Sequence, residues 1–231
     1  MIHAQTNMDM ELPSLQPEVI FFKGSPFKIT DTMITAVITT VVLILFALVV
    51  RIFFIPRWRK TYDKKSGFRL LLEALVNMFD SNAEDSVGHN SKFVAPWYFA
   101  AAAFICVGTL LEMTGMRPPT SDLNVTLALG LTTFILINYY GFKEKKWRRL
   151  LRFANPINDL TDIVVPFSMA LRMFGSVFSG YLIMHLIYSL PWFAKIALPA
   201  LASVIFTIFH ALIQSYIFMF LSMSFISEAT E

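Results

Sequence analysis

The sequence predicts an all-α integral membrane protein with about five transmembrane helices, and three observations predict it. Hydrophobic residues make up 56% of the 231 positions and the mean hydropathy is +0.60, more than a soluble domain of this size ordinarily carries. Charge-free runs recur at Thr32–Val50, Phe93–Leu111, Leu123–Phe142, Met173–Ala194 and Ile196–Ser227, each near or above the ~20 residues a helix needs to cross a ~30 Å hydrocarbon core. Basic residues gather between these runs: 51–69 holds seven Lys/Arg and 143–152 holds six, together 13 of the chain's 19.

Each element follows from this pattern. Residues 1–30 form a tail with Asp9, Glu11 and Glu18, and 31–56 is the first span. Residues 66–85 read GFRLLLEALVNMFDSNAED from Gly67, with Leu71, Leu72, Leu75, Val76 and Phe79 near helical spacing. This stretch is too short and too charged to span, so it is an amphipathic helix on the membrane surface or a linker helix packed on the protein itself. Residues 93–142 make a helical hairpin and 158–227 a long one. The last run is longer than one span requires, so the final hairpin must tilt, bend or project. The whole of 1–231 reads as a single membrane domain.

Basic loops stay in the cytoplasm. That puts 51–92 and 141–158 inside, and the N-terminal tail, the loop 113–122 and the turn 191–195 outside. The C-terminus is then cytoplasmic. The N-terminal segment has no basic region leading into an apolar core, so no cleavable signal peptide is expected. Cys106 is the single cysteine, which excludes an internal disulfide.

Polar groups in hydrocarbon are costly and mark function. Arg172 has apolar residues on both sides, with Ser168, Gly175, Ser176 and Ser179 on its helical face. Such a small-residue face lets another helix approach closely, and a helix approaching an arginine plausibly offers a carboxylate. The alternative is an Arg172 that pairs with Asp162 or with carbonyls to fix packing. Ser203, Thr207, His210 and Gln214 step by four, three and four residues along one face of the last run, either as a polar pathway or as interhelical hydrogen-bond glue. Glu112 ends the second span, and Asp122 and Asn124 open the third. These acids can collect cations at an outer vestibule, or Asp122 can simply cap its helix. Asn158, Asp159 and Asp162 precede Arg172, and Tyr181 and His185 follow it. No metalloprotease, nucleophile-elbow, phosphate-loop or dinucleotide pattern occurs.

Three segments carry a resemblance: PPTSDLNVTLALGL (118–131), PINDLTDIVVPFSMALRMFGSVFSGYLI (156–183) and ALIQSYIFMFL (211–221). In this order, with five spans, they resemble subunit a of rotary F-type ATP synthases. The resemblance implies a stator beside a rotating ring of c subunits, each with an ion-binding carboxylate at mid-membrane. Two offset half-channels would pass protons or Na⁺ to and from that ring, coupling ion flow to rotation and ATP synthesis. Arg172 matches the essential arginine facing the ring, where it attracts the ionised carboxylate and blocks direct leak. Gln214 matches the glutamine near it, and Asp122, Asn124 and Thr126 match an Asp-x-Asn-x-Thr motif by the outer half-channel. Glu112 and Asp162 fall where relatives are often polar or acidic.

The chain departs from the family pattern at two places. Ser176 stands where Asn is usual, and Ser179-Gly180-Tyr181 replaces a segment ending in Glu or His. His185, one turn further, and His210, on the facing helix, are candidates for the missing channel group. Ser176, Tyr181, His185 and His210 therefore join the half-channel residues. The resemblance further implies partnership with the c-ring, the subunit b peripheral stalk and the rest of the synthase in a bacterial plasma (inner) membrane, as part of a proton-transporting two-sector ATPase. This chain itself would make no covalent bond and need no cofactor, metal or nucleic acid. A secondary transporter would show internal repeats and broken helices, and a lipid enzyme a catalytic cluster at one interface; neither pattern is present.

Overall fold

The computed structural model describes residues 19–21, 29–56, 67–87, 91–114, 116–145, 156–188 and 198–230. Six α-helices make up most of them: α1 (Asp31–Val49), α2 (Gly67–Val87), α3 (Ser91–Leu110), α4 (Leu123–Lys145), α5 (Pro156–Tyr188) and α6 (Leu198–Thr230). A π-helical turn, Val50–Phe54, extends α1. A 3₁₀ turn, Leu111–Thr114, ends α3 and carries Glu112. Residues 1–18 of the expected tail, the basic stretches 57–66 and 146–155 and the turn 191–195 lie outside the described residues. One feature was not anticipated from the sequence: β1 (Val19–Phe21) pairs antiparallel with β2 (Ile29–Thr30) just ahead of α1. The strands are short and mostly apolar, Val-Ile-Phe against Ile-Thr, and pairing satisfies backbone groups of each.

The chain is a multi-pass helical membrane protein. Asp31–Phe54, Phe93–Thr114, Leu123–Lys143 and Ser203–Thr230 are long and apolar enough to cross a bilayer. The fifth expected span, α5, differs. It has 33 residues, hence a length of about 50 Å, but its described apolar stretch is the shorter Val164–Gly180, and Arg172 sits within it. α6 also has 33 residues, so both helices exceed the ~30 Å hydrocarbon core and must tilt, curve or project.

Packing is inverted relative to a soluble bundle. The buried face of α1 is Thr32, Thr35 and Thr39, whereas Val37, Val41, Leu45 and Phe46 point outward. The hydroxyls of Thr35 and Thr39 donate to the carbonyls of Asp31 and Thr35 one turn back, so they need no water. Small, self-satisfied residues let α1 lie close to the bundle while its bulky side chains meet lipid. α6 follows the rule only in part: Ala211, Ser215, Ser222 and Ala229 are buried and Leu201, Phe209, Leu212 and Phe220 are exposed, but bulky Phe218, Met219, Met223 and Ile226 are buried as well.

α6 is central, packing on α2, α3, α4 and α5. Its Phe218, Met219, Met223 and Ile226 join Tyr98 and Ile105 of α3 and Ile137 of α4 in the core. Tyr98 presents its hydroxyl toward Thr133 of α4 and Ser222 of α6, placing polar groups at a three-helix contact. α2 combines the two readings open from the sequence. Phe79 and Ala83 are buried against the protein, with Phe79 edge-on to Phe99 at 5.1 Å. Leu70, Leu71, Leu75, Val76 and Met78 remain exposed, an apolar face suited to the membrane surface.

One close approach fixes where α5 sits. A Cβ on Gly130 of α4 would lie 2.6 Å from the carbonyl oxygen of Pro166. Only hydrogen fits there, so α4 and α5 meet backbone to backbone. Proline inside α5 lacks an N–H, and the tight contact lies at this interruption.

Candidate functional site

α5 and α6 bring the predicted polar residues together. Their facing surfaces, with the end of α3, enclose a cleft of about 160 Å³ lined by Glu112, Ser176, Ser179, Gly180, Ser203, Thr207 and His210, with Val177, Ile183 and Phe206. The Ser203–Thr207–His210–Gln214 stripe thus faces protein and cleft. From Ser203 to Gln214 is eleven residues, or about 16 Å along the helix, roughly half the hydrocarbon thickness. The cleft starts where α5 ends and α6 begins, beside Glu112, and runs to mid-bundle.

Its deep end is closed by a bridge of side chains. Ser176 Oγ lies 3.3 Å from His210 Nε2 and 3.4 Å from Gln214 Oε1. It also donates to the Met173 carbonyl at 2.8 Å. A hydroxyl has one proton, so Ser176 can donate to one of these acceptors at a time, and it can accept from His210. Ser176 is half-buried, and Met173 and Met169 on the same helix are core residues.

Arg172 lies one turn beyond Ser176. With Gln214, Met169, Met173, Ile217, Phe218 and Leu221 it lines a separate void of about 10 Å³. Gln214 is buried and stands between the two spaces, touching Ser176 on one side and Arg172's void on the other. Arg172 itself is on the exposed side of α5, flanked by exposed Leu171, Phe167 and Ser168. Among the described residues no carboxylate pairs with it. A Cβ on Gly175, one turn away, would meet nothing within 4 Å. The small-residue face beside Arg172 is therefore open within this chain.

The remaining predicted residues are placed elsewhere or lie outside the description. Asp122 is buried, but not in the cleft. Its Oδ2 accepts from Thr32 Oγ1 at 2.9 Å, and its Oδ1 accepts from the Asn124 backbone N–H at 2.9 Å and from Asn124 Nδ2 at 3.1 Å. This caps α4 and ties it to α1. We expect Asp122→Ala to destabilise the chain by about 2 kcal/mol, the scale of a cap plus a charged hydrogen bond. A thermal-unfolding series in detergent would read this directly, and an unshifted midpoint would contradict it. The side chains of Asp162, Tyr181 and His185 lie outside the described residues; only their helical backbone in α5 is given. Ser179, on the small-residue face of Arg172, and Ser203 and Thr207, in the polar stripe of α6, also line the cleft.

Comparison with known proteins decides the family. The family model described as ATP synthase A chain matches residues 34–227. The chain belongs to this family. It is 31% identical to ATP synthase subunit a of Coxiella burnetii (strain RSA 331 / Henzerling II) over 233 aligned positions, covering 87% of this chain and 84% of that one. It is 30% identical to ATP synthase subunit a of Alkalilimnicola ehrlichii over 219 positions, 80% of this chain and 84% of the relative. A shorter match, 42% identical over 130 positions, joins it to ATP synthase subunit a of Shewanella sp. (strain W3-18-1) over 49% of this chain and 46% of the relative. As a member of the family the chain is a membrane-sector subunit of an ATP synthase, and the matched region runs from within α1 to within α6.

Proposed function

We propose that this chain is the ion-conducting stator of an F-type ATP synthase, passing protons or Na⁺ through two offset half-channels to and from the carboxylates of a rotor c-ring. The observation that carries this reading is Arg172: a cation inside an apolar stretch, exposed, without a carboxylate among the described residues, and one turn from the closed end of a polar cleft. A central arginine costs about 2.5–3.5 kcal/mol on insertion scales, and a carboxylate on a rotor helix is the partner that would offset this cost. The open face at Gly175 and Ser168 supports close approach by a helix of that partner.

On this reading the cleft is the outer half-channel. An ion entering beside Glu112 neutralises a rotor carboxylate, and the neutral site can then turn through lipid without a large charge penalty. The inner half-channel opens on the Asp162 side. Where a rotor site passes Arg172 the guanidinium favours the ionised carboxylate, which forces release and blocks a straight leak. The driving force is about 2.3 kcal/mol per charge per 100 mV. The orientation has the N-terminus outside and the C-terminus in the cytoplasm of a bacterial plasma membrane, with the subunit b stalk holding the stator.

The test is passive ion flux through the reconstituted membrane sector under an imposed potential. This chain with its ring should conduct, and the chain in vesicles lacking the ring should not. Conduction without the ring would overturn the half-channel reading, because it requires one continuous pore.

A further inference from the structure

We propose that the second half of α1 is a lipid-binding arm, with Arg51 holding the headgroup phosphate of an anionic phospholipid while Ile52 and Phe53 lie along its acyl chains. The proposal goes beyond the half-channel reading and does not depend on it.

The two halves of α1 differ in character. Its buried residues, Thr32, Thr35 and Thr39, all precede Thr40. In this half α1 packs on α3 and on the 3₁₀ turn Pro119–Ser121. Thr39 and Pro119 both lie against Gly108, and Thr32 is bonded to Asp122. From 40 to 56 no residue is buried, and Leu43 and Val50 are the two that are partly covered. The span is thus held in the bundle at one end, while its other end has almost no cover from this chain.

What suits the uncovered half follows from its side chains. A neighbouring helix packs best where small residues let two backbones approach. Residues 41–55 contain no glycine, serine or threonine, and Ala47 is the one small side chain. Residues 44–49 are exposed without a break, which takes in every side of the helix. Ile44, Leu45, Phe46, Leu48 and Val49 therefore present bulk all round. Such a surface offers no ledge for a second helix, and fluid acyl chains can fill around it.

Distance and charge set the headgroup end. Arg51 is twenty residues after Asp31, or about 30 Å along the helix, one hydrocarbon thickness. With Asp31 at one membrane interface, Arg51 stands at the other. It is exposed, and among the described residues no carboxylate pairs with it. The sequence from 51 to 69 carries seven Lys/Arg against one acid, Asp63, a balance that attracts anionic headgroups. Ile52 and Phe53 follow Arg51 and are 59% and 68% exposed, apolar area that lipid covers better than water does. The π-helical turn Val50–Phe54 is closed by the Ile55 N–H on the Val50 carbonyl, five residues back. Pro56 comes next in the chain, with no N–H of its own and a ring that crowds the carbonyl four residues earlier. The helix changes register here, at the depth where headgroups meet acyl chains, and the sequence sets a cation beside an aromatic residue, the usual composition of a membrane-interface anchor.

The experiment uses the whole synthase reconstituted in vesicles of phosphatidylglycerol and phosphatidylethanolamine in equal amounts, with the photocrosslinker p-benzoylphenylalanine in place of Phe53. Illumination should join this position to phospholipid, with phosphatidylglycerol favoured. Arg51→Gln should lower that preference about five-fold, the scale of one basic residue at an anionic membrane surface. Arg51→Lys should keep most of it, since a point charge still holds a phosphate. The crosslinker in place of Val37, exposed near the other end of α1, should follow the bulk composition of the vesicle. If Arg51 served only to complement the helix terminus, Arg51→Gln would leave the preference unchanged, and that result overturns the proposal. An adduct with another polypeptide at position 53 overturns it too, by putting a partner helix where the lipid is proposed. Native mass spectrometry of the synthase without the crosslinker checks the same point independently. Arg51→Gln should retain less phosphatidylglycerol than the parent, and equal retention would contradict a specific site.

Discussion

Arg172→Ala abolishes ATP synthesis driven by ion flow, leaving hydrolysis in the soluble head intact and the membrane passively leaky. The physical case rests on what Arg172 does not have. It is exposed on α5 and finds no carboxylate among the described residues, which fits the proposed role of meeting a rotor carboxylate. On the proposed function, removing it takes away both the attraction that favours ionisation of the passing carboxylate and the positive barrier between the half-channels. Arg172→Lys should recover little. An ammonium is a compact point charge without the planar fork that holds a carboxylate by two hydrogen bonds, and the adjacent void of about 10 Å³ leaves little room for the water it would carry. Coupled synthesis and pumping in reconstituted vesicles measure both variants; synthesis at the wild-type rate in Arg172→Ala would remove Arg172 from the mechanism.

Gly130→Leu prevents assembly of a working complex, and Gly130→Ala weakens it. Gly130 is far from the cleft in sequence, yet it sets the position of α5. An added Cβ would lie 2.6 Å from the Pro166 carbonyl oxygen, and a backbone atom cannot rotate aside. Overpacking of this kind costs typically 1–3 kcal/mol, and a leucine must push the helices apart along its full length. Pro166 is six residues from Arg172 on the same helix, about 9 Å, so displacement there carries the arginine with it. The amount of this chain that co-purifies with the ATPase head measures the effect. Gly175→Ala is the contrast, because its added methyl meets nothing in this chain; it should leave thermal stability unchanged. Equal yields for Gly130→Leu and the parent would contradict the close-approach argument.

The Asp122 result shows how a residue's type and its surroundings carry different information. From the sequence, an acid opening the third span reads equally as a vestibule group or as a helix cap. The structure consumes both of its oxygens in bonds to Thr32 and Asn124. Thr32 is ninety residues away, and no spacing rule reaches across that distance. α2 teaches the same lesson in reverse. Its apolar spacing was legible, but which of its apolar residues dock and which stay out depends on how α3 and α6 present themselves; Phe79 is taken up and Leu71 and Leu75 are left exposed.

The membrane class, the helical spans, the family and the oddity of Arg172 were all readable from the chain, because each rests on local quantities. A run of apolar residues, a basic loop or a charge among aliphatics means the same thing wherever the helices end up, since the bilayer supplies one fixed environment for every span. The cleft was not readable. It needs the rotation of α5 and α6 about their own axes and the place where α3 ends, and a turn of 100° per residue sends each side chain to a different neighbour. That is why Arg172 could be singled out as an isolated charge from sequence, while the bridge from His210 through Ser176 to Gln214, and the arrival of Glu112 from a third helix, were decided by packing alone.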